Sequence, residues 1–382
     1  MSELTERTHR EIRQLIQRSY GRGQRLPSER RLAGLLGVSQ TVVHQAVRKL
    51  LADGMIESVP RRGCFVAHGG TVRGMRHQYG LYIHENVVDL LGNDSFLVRV
   101  IVALRQRLRT QQCALLAIGP ERAVAGRVSI DFESCPEEIP WNRIDGLFVL
   151  LSVEDHATLR HPALRKGPVL VLDQDATAEG LDSVVFDDER AGEWAARHLL
   201  ELSHRRFGLV EEKVTPHRAC DAAWLRRRVG FEKAVLRQGG TIDPDWRLPW
   251  SIFSRNEPTS GAPWQKRLRA LLDRKPHERP TAIFCPEASL MATLDRFLAA
   301  VNAPVPKSFS LIGVGSEGFD DREAFSRRPT LLSVSPEELG QRAVETMPEI
   351  LSLGPLGDRR PARAWLVPPR FQEGETTAEC ER

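Results

Sequence analysis

Apolar residues recur at two different periods along this chain. Near the N-terminus the spacing is helical. Ile12, Leu15 and Ile16 share one face, Leu32, Leu35 and Leu36 a second, and Val43, Ala46, Val47 and Leu50 form an i, i+3, i+4, i+7 stripe on a third. Ser28, after Pro27, and Ser39 are placed to cap the second and third helices. Gly37 and Gly54 close them. Extended pieces at 55–59 and 64–67 flank the basic turn Pro60-Arg61-Arg62-Gly63, which predicts a β-hairpin. Gly63 supplies a backbone conformation there that other residues resist.

From Gln78 onward the period changes. Apolar extended runs at 79–83, 114–118, 146–151, 169–172, 207–210, 282–285 and 310–314 alternate with amphipathic helical stretches at 96–109, 191–202, 227–238, 264–272 and 290–300. Such alternation predicts parallel sheets with right-handed crossovers. The number of elements exceeds what one small sheet needs, so two α/β lobes are expected, with a ligand cleft at the C-terminal ends of the strands. The fold class is therefore an α+β multidomain chain: a helical head with a hairpin, then a two-lobed α/β body. The expected boundaries are 1–67 for the head, 68–77 for a flexible connector, 78–372 for the body and 373–382 for a charged tail. Within the body, lobe one is expected at about 78–185 plus 331–352, and lobe two at about 186–330 plus 360–372.

Charge sharpens the division. Residues 1–77 hold 14 Lys and Arg against 6 Asp and Glu, a net of +8, whereas the rest nets −4. A basic head on a mildly acidic body suits a polyanion, with nucleic acid the first candidate. Helix, short turn, helix and hairpin is the winged helix-turn-helix order, in which the third helix enters the major groove N-terminus first. Its polar face carries Gln40, Thr41, His44, Gln45 and Arg48 and no acid. Ser39 and Thr41 sit where hydroxyls and helix-end amides hold a phosphate. Gln40, His44 and Gln45 offer donors and acceptors to base edges. Arg48 and Lys49 suit phosphates, and Arg61, Arg62 and Gly63 at the hairpin tip suit a minor-groove or backbone contact. For any single one of these side chains, an ordinary solvated face is an equal alternative.

Six cysteines are scattered with no C-x-x-C pair, and no histidine pair has zinc-finger spacing. Neither a disulfide framework, a metal nor a cofactor is expected. The start is charged from residue 3, and no apolar run approaches the roughly 20 residues that span a bilayer. A cytoplasmic location without a membrane partner is expected.

The stretch RLPSERRLAGLLGVSQTVVHQAVRKLLADGMIESVPRRGCFVA resembles the GntR-type winged helix through its L-P-S-E-R opening, L-x-V-S turn, D-G-M-I step and G-C-F-V wing end. The resemblance implies a DNA contact by Arg30, and the capping Ser28 beside it is a further candidate contact. Where that family usually carries two arginines, one after V-S and one four residues on, this chain has Gln40 and His44.

The body resembles the effector domain of the LacI family, through IDGLFVLLS, PVLVLD, SVVFDDERAGEWAARHLLELSHRRFGLV, RRVGFEKAVLRQGG, PTAIFCPEASLMA, VPKSFSLIGVGSEGF and PTLLSVSPEELGQRAVE. This implies ligand contacts by Arg227, three residues before Gly230-Phe231; by Asp173 at a strand end; and by Phe186, an aromatic able to stack on a sugar. The chain departs from the family at Pro286-Glu287-Ala288 and at Gly313-Val314-Gly315-Ser316, where a carboxylate is missing. Glu287 is a candidate replacement acceptor. In each case a purely structural role is the alternative: Asp173 capping a loop, Phe186 in the core, Arg227 paired with a carboxylate.

Together these readings lead to a DNA-binding transcriptional regulator, a repressor, acting as a homodimer on a double-stranded operator under control of a small effector, a sugar or sugar derivative. A DNA-binding protein whose cleft has lost its ligand, or a sugar-binding transport component, are the alternatives. An enzyme is not expected, since no nucleophile elbow, phosphate loop, metal cluster or suitably placed lysine occurs.

Overall fold

The computed structural model describes residues 3–20, 24–52, 55–59, 62–66, 77–83, 95–118, 121–124, 127–130, 139–151, 156–212, 222–250, 263–317, 325, 327–353 and 360–380. Its head contains α1 (Glu3–Ser19), α2 (Glu29–Leu36), α3 (Gln40–Ala52), β1 (Ile56–Val59) and β2 (Gly63–Val66). The caps fall where the sequence puts them. Ser28 Oγ accepts the Arg31 N–H at 3.3 Å, and Ser39 Oγ accepts the Val42 N–H at 3.4 Å. α2 ends on Gly37 at φ 64°. β1 and β2 pair antiparallel, with Ile56 opposite Val66 and Val59 opposite Gly63, whose φ of 104° few other residues adopt. The apolar stripes meet in one core of Ile12, Ile16, Leu26, Leu32, Val43, Ala46, Val47, Leu50, Ile56 and Val66. Each large aliphatic buried in this way contributes about 1.5–3 kcal/mol.

The chain divides into two units, Met1–Val184 with Gly340–Ala364, and Val185–Leu339 with Trp365–Arg382. In the first, beyond the head, the elements are β3 (His77–Ile83), α4 (Ser95–Thr110), β4 (Cys113–Ile118), the hairpin β5 (Glu121–Val124) and β6 (Arg127–Ile130), β7 (Gly146–Leu150), α5 (His156–Arg160), β8 (Val169–Leu172) and β9 (Asp182–Phe186). β3 lies between β4 and β7 in a parallel sheet that continues through β8 to β9. β7 and β8 are buried along their whole length, as an interior parallel strand requires.

The second unit contains α6 (Asp188–Glu201), β10 (Arg206–Glu212), α7 (Ala222–Arg237), β11 (Thr241–Trp250), α8 (Pro263–Leu272), β12 (Ala282–Cys285), α9 (Ala288–Ala300), β13 (Ser310–Ser316) and β14 (Leu331–Val334). Helix α10 (Pro336–Ser352) follows, then β15 (Ala364–Val367) on the edge beside β9, and β16 (Arg370–Gln372). The second sheet runs β11-β10-β12-β13-β14-β16, parallel except for β16. β14 pairs with β13 through Gly313–Leu331, so it belongs to this sheet and not to lobe one, where the sequence reading places 331–352. Helices α6 and α7 touch almost backbone to backbone. A Cβ on Gly192 would lie 1.8 Å from the Arg227 carbonyl oxygen, and one on Gly230 would lie 1.9 Å from that of Glu189.

Residues 373–380 of the segment expected as a charged tail are built into the second unit. Thr376 is fully buried; it accepts the Thr330 N–H at 2.8 Å and donates to the Leu311 carbonyl at 2.8 Å. The Cys380 N–H donates to the Leu202 carbonyl at 2.8 Å. Buried His204 joins the same seam. Its Nε2–H donates to the Ala378 carbonyl at 3.0 Å, which leaves Nδ1 to accept the Thr281 hydroxyl at 2.8 Å. Burial holds the His204 imidazole below the usual histidine range.

Candidate nucleic-acid interface and ligand residues

α3 separates its residues as its period demands. Val43, Ala46, Val47 and Leu50 are buried, while Gln40, Thr41, His44, Gln45 and Arg48 are exposed. Ser39 caps the exposed end, and Ser28 and Arg30, also exposed, lie at the start of α2. No acidic residue stands in the first turn of α3, so its N-terminal amides offer a positive field to an anion.

Among the described residues, three polar side chains of α3 have hydrogen-bonding or ionic partners within the head. His44 Nδ1 lies 3.1 Å and 3.2 Å from the two carboxylate oxygens of Glu29, the first residue of α2. Gln45 Oε1 accepts the hydroxyl of buried Thr5 on α1 at 3.0 Å. Lys49 Nζ lies 2.7 Å from Glu6, which holds the Glu6 carboxyl below its usual range. Lys49 is thus engaged with α1 rather than directed outward like Arg48. Gln40, Thr41, His44, Gln45 and Arg48 form the outward set.

At the hairpin, Gly63 and Arg62 are exposed, and the Arg62 guanidinium carbon sits 5.8 Å from the Phe65 ring centroid. Arg61 lies outside the described residues. Arg25 is a further exposed cation that the sequence reading missed. It bridges to Phe65 in a third extended piece, where the Val66 N–H donates to the Gln24 carbonyl at 2.9 Å and the Leu26 N–H to the Cys64 carbonyl at 2.8 Å. The signal available is its place one residue before L-P-S-E-R.

The four ligand candidates fall in different settings. Asp173, in the first unit, follows β8 at φ 66° and is half-buried; its N–H donates to the Val184 carbonyl at 2.9 Å. Phe186 ends β9 and is buried. Arg227 and Glu287 are brought together in the second unit, 3.5 Å apart. Arg227 is buried, with Nε 2.8 Å from Asp188 Oδ1 and Nη1 donating to the Pro286 carbonyl at 2.9 Å. Asp188 is buried too, and Arg226 lies 3.0 Å from its other oxygen. Pro286 and Glu287 follow the C-terminal end of β12, and Glu287 opens α9. Trp246 is fully buried in β11, 5.4 Å from the Phe309 centroid.

Among the described residues no helix is long and apolar enough to cross a membrane, and no cluster of three or more His, Cys, Asp or Glu could hold a metal ion.

Residues 4–66 match the family model of bacterial regulatory proteins of the gntR family, and residues 196–377 match that of the periplasmic binding protein-like domain. The chain is 26% identical over 211 residues to an HTH-type transcriptional repressor PurR of Aliivibrio salmonicida, covering 54% of this chain and 58% of that one. It is 28% identical over 239 residues to the PurR repressor of Haemophilus influenzae strain PittEE, covering 61% and 64%. The match therefore spans less than two thirds of these relatives' length. Among solved structures, a LacI family transcriptional regulator from Enterococcus faecium with bound ribose superposes with a TM-score of 0.53 at 19% identity, over 80% of this chain and 100% of that one. A LacI family regulator from Clostridium acetobutylicum gives 0.55 at 14% identity, over 78% and 99%.

Proposed function

We propose that this chain, which joins a GntR-family head at residues 4–66 to a periplasmic binding protein-like body, is a DNA-binding transcriptional repressor controlled by a small ligand. The observation that carries this reading is the outward face of α3. Gln40, Thr41, His44 and Arg48 project from a helix whose opposite face locks the head together, inside a segment of net charge +8. The helix meets the major groove as a reader, while Arg30, Arg48, Arg62 and the caps Ser28 and Ser39 meet phosphates. The relatives it matches are repressors, not enzymes.

The body is read as the ligand-binding part and the ligand as a sugar or sugar derivative; the ribose-bound neighbour supports that class. Asp173, Phe186, Arg227 and Glu287 are the proposed contacts. Ligand acts by population shift: it changes operator affinity only as far as it prefers one arrangement of the body over another. The working form is a cytoplasmic homodimer, because one winged helix offers a small interface and two heads on a pseudo-palindrome supply the missing affinity.

One observation favours a second reading, a regulator whose body no longer binds ligand. Asp188 and the Pro286 carbonyl already engage Nε and Nη1 of the Arg227 guanidinium.

Genome-wide mapping of DNA bound by the full chain tests the proposal. A short recurrent motif near promoters, lost in an Arg30→Ala/Arg48→Ala variant, is the expected result. Occupancy without any recurrent motif contradicts it.

A further inference from the structure

The pairing of His44 with Glu29 decides what the outward imidazole can say to a base. A carboxylate has no hydrogen to give, so at 3.1 and 3.2 Å from both Glu29 oxygens Nδ1 must carry the hydrogen and donate it. A neutral imidazole has one hydrogen, so Nε2, on the other side of the ring, is then a bare acceptor. The histidine side chain is 58% exposed and that of Glu29 31%, so the pair stands on the outward face and is not a core contact. The backbone fixes its placement, since Glu29 opens α2 behind the Ser28 cap and His44 lies in the second turn of α3.

We propose that Glu29 acts as a positioning residue that makes His44 a hydrogen-bond acceptor, so that the chain selects a base presenting an exocyclic amine, cytosine or adenine, at that point of its half-site. This rests on the reading of α3 as the DNA-facing helix. In the major groove the available donors are cytosine N4–H₂ and adenine N6–H₂, whereas guanine and thymine present acceptors at N7, O6 and O4. An acceptor facing an acceptor leaves both unpaired, so guanine and thymine are disfavoured at that base. The same carboxylate repels DNA phosphates, which lowers affinity for every sequence alike. The two effects of Glu29 are therefore separable: one depends on a single base, the other on no base.

The test is selection of the full-length chain on a randomised duplex library at pH 8, with sequencing of bound DNA for wild type, His44→Ala and Glu29→Gln. The expected result is one position per half-site where wild type favours cytosine or adenine by about three- to tenfold, the range of a single neutral hydrogen bond. His44→Ala erases that preference and leaves the other positions unchanged. Glu29→Gln, whose amide can donate as well as accept, weakens it at the same position and raises overall affinity. If wild type shows no sequence-selective enrichment, the regulator reading fails and this inference falls with it. If wild type is selective but the His44-dependent position prefers guanine or thymine, the inference alone is overturned. It is overturned in the same way if Glu29→Gln raises affinity equally for all four bases, or if His44→Ala changes no position.

Discussion

Asp188 Oδ1 lies 2.8 Å from Arg227 Nε, and both side chains are buried. Two desolvated charges tolerate each other only as a pair, and removing one leaves the other with the full cost of its burial. Asp188→Ala is expected to destabilise the chain by about 3–5 kcal/mol. Urea denaturation followed by far-UV circular dichroism measures this. A loss near the size of an exposed pair, under about 1 kcal/mol, would mean that Arg227 finds another partner.

The seam around His204 gives a pH dependence whose sign is fixed. Burial lowers the folded-state pKa of both His204 and His198, whose Nε2 lies 3.0 Å from Thr377 Oγ1 in the same segment, so the unfolded chain binds protons more readily. Stability is fully present above the ordinary histidine value of about 6.5 and is lost as pH falls below it. The urea midpoint of the wild type is expected to drop as pH falls through and below that value, and a His198→Gln/His204→Gln variant is expected to show a shallower drop. An identical slope in both proteins would place the titrating groups elsewhere.

The buried Thr376 hydroxyl makes two of the hydrogen bonds that tie the last segment to the second unit. Thr376→Val keeps the shape and removes both, at about 1–3 kcal/mol for each group left unpaired. A thermal melt reads the effect. A variant as stable as wild type would show that the Thr330 N–H and the Leu311 carbonyl find other partners.

How much of the molecule is legible in the sequence depends on what each element leaves in the residue pattern. The head is legible nearly to the residue, because caps, glycines and period reinforce one another at Ser28, Gly37, Ser39 and Gly63. β11 does not read as a strand. Pro244 and Pro249 argue against a central strand, but β11 is an edge, where prolines cost least, and a register shift between Phe207 and Leu209 on β10 absorbs residues 243–246. The last segment is charged and aperiodic, so nothing in it announces that Thr376 is buried. The LacI resemblance marks Arg227 as a candidate ligand contact, and only the structure shows that Asp188 holds its Nε. Lys49 points outward on a helical projection, yet α1 brings Glu6 to it from elsewhere in the chain, as it brings Thr5 to the exposed Gln45.

Outward cations on the head are expected to act through phosphates. Arg48→Ala and Arg62→Ala are each predicted to weaken DNA binding about equally across sequences. Each is also predicted to reduce the slope of log affinity against log salt by about 0.9 for every phosphate no longer neutralised. Fluorescence anisotropy across a salt series checks it. A changed base preference with an unchanged slope would mean that these arginines read bases.

Titration of a mapped operator duplex with the full-length chain, with and without each member of a panel of sugars and sugar derivatives, tests the coupling of head to body most directly. Calorimetry first identifies which panel members bind. The predicted result is that at least one bound ligand shifts operator affinity about 5- to 150-fold, the usual range of an allosteric coupling. Operator affinity that stays constant across every ligand that binds would contradict a ligand-controlled regulator.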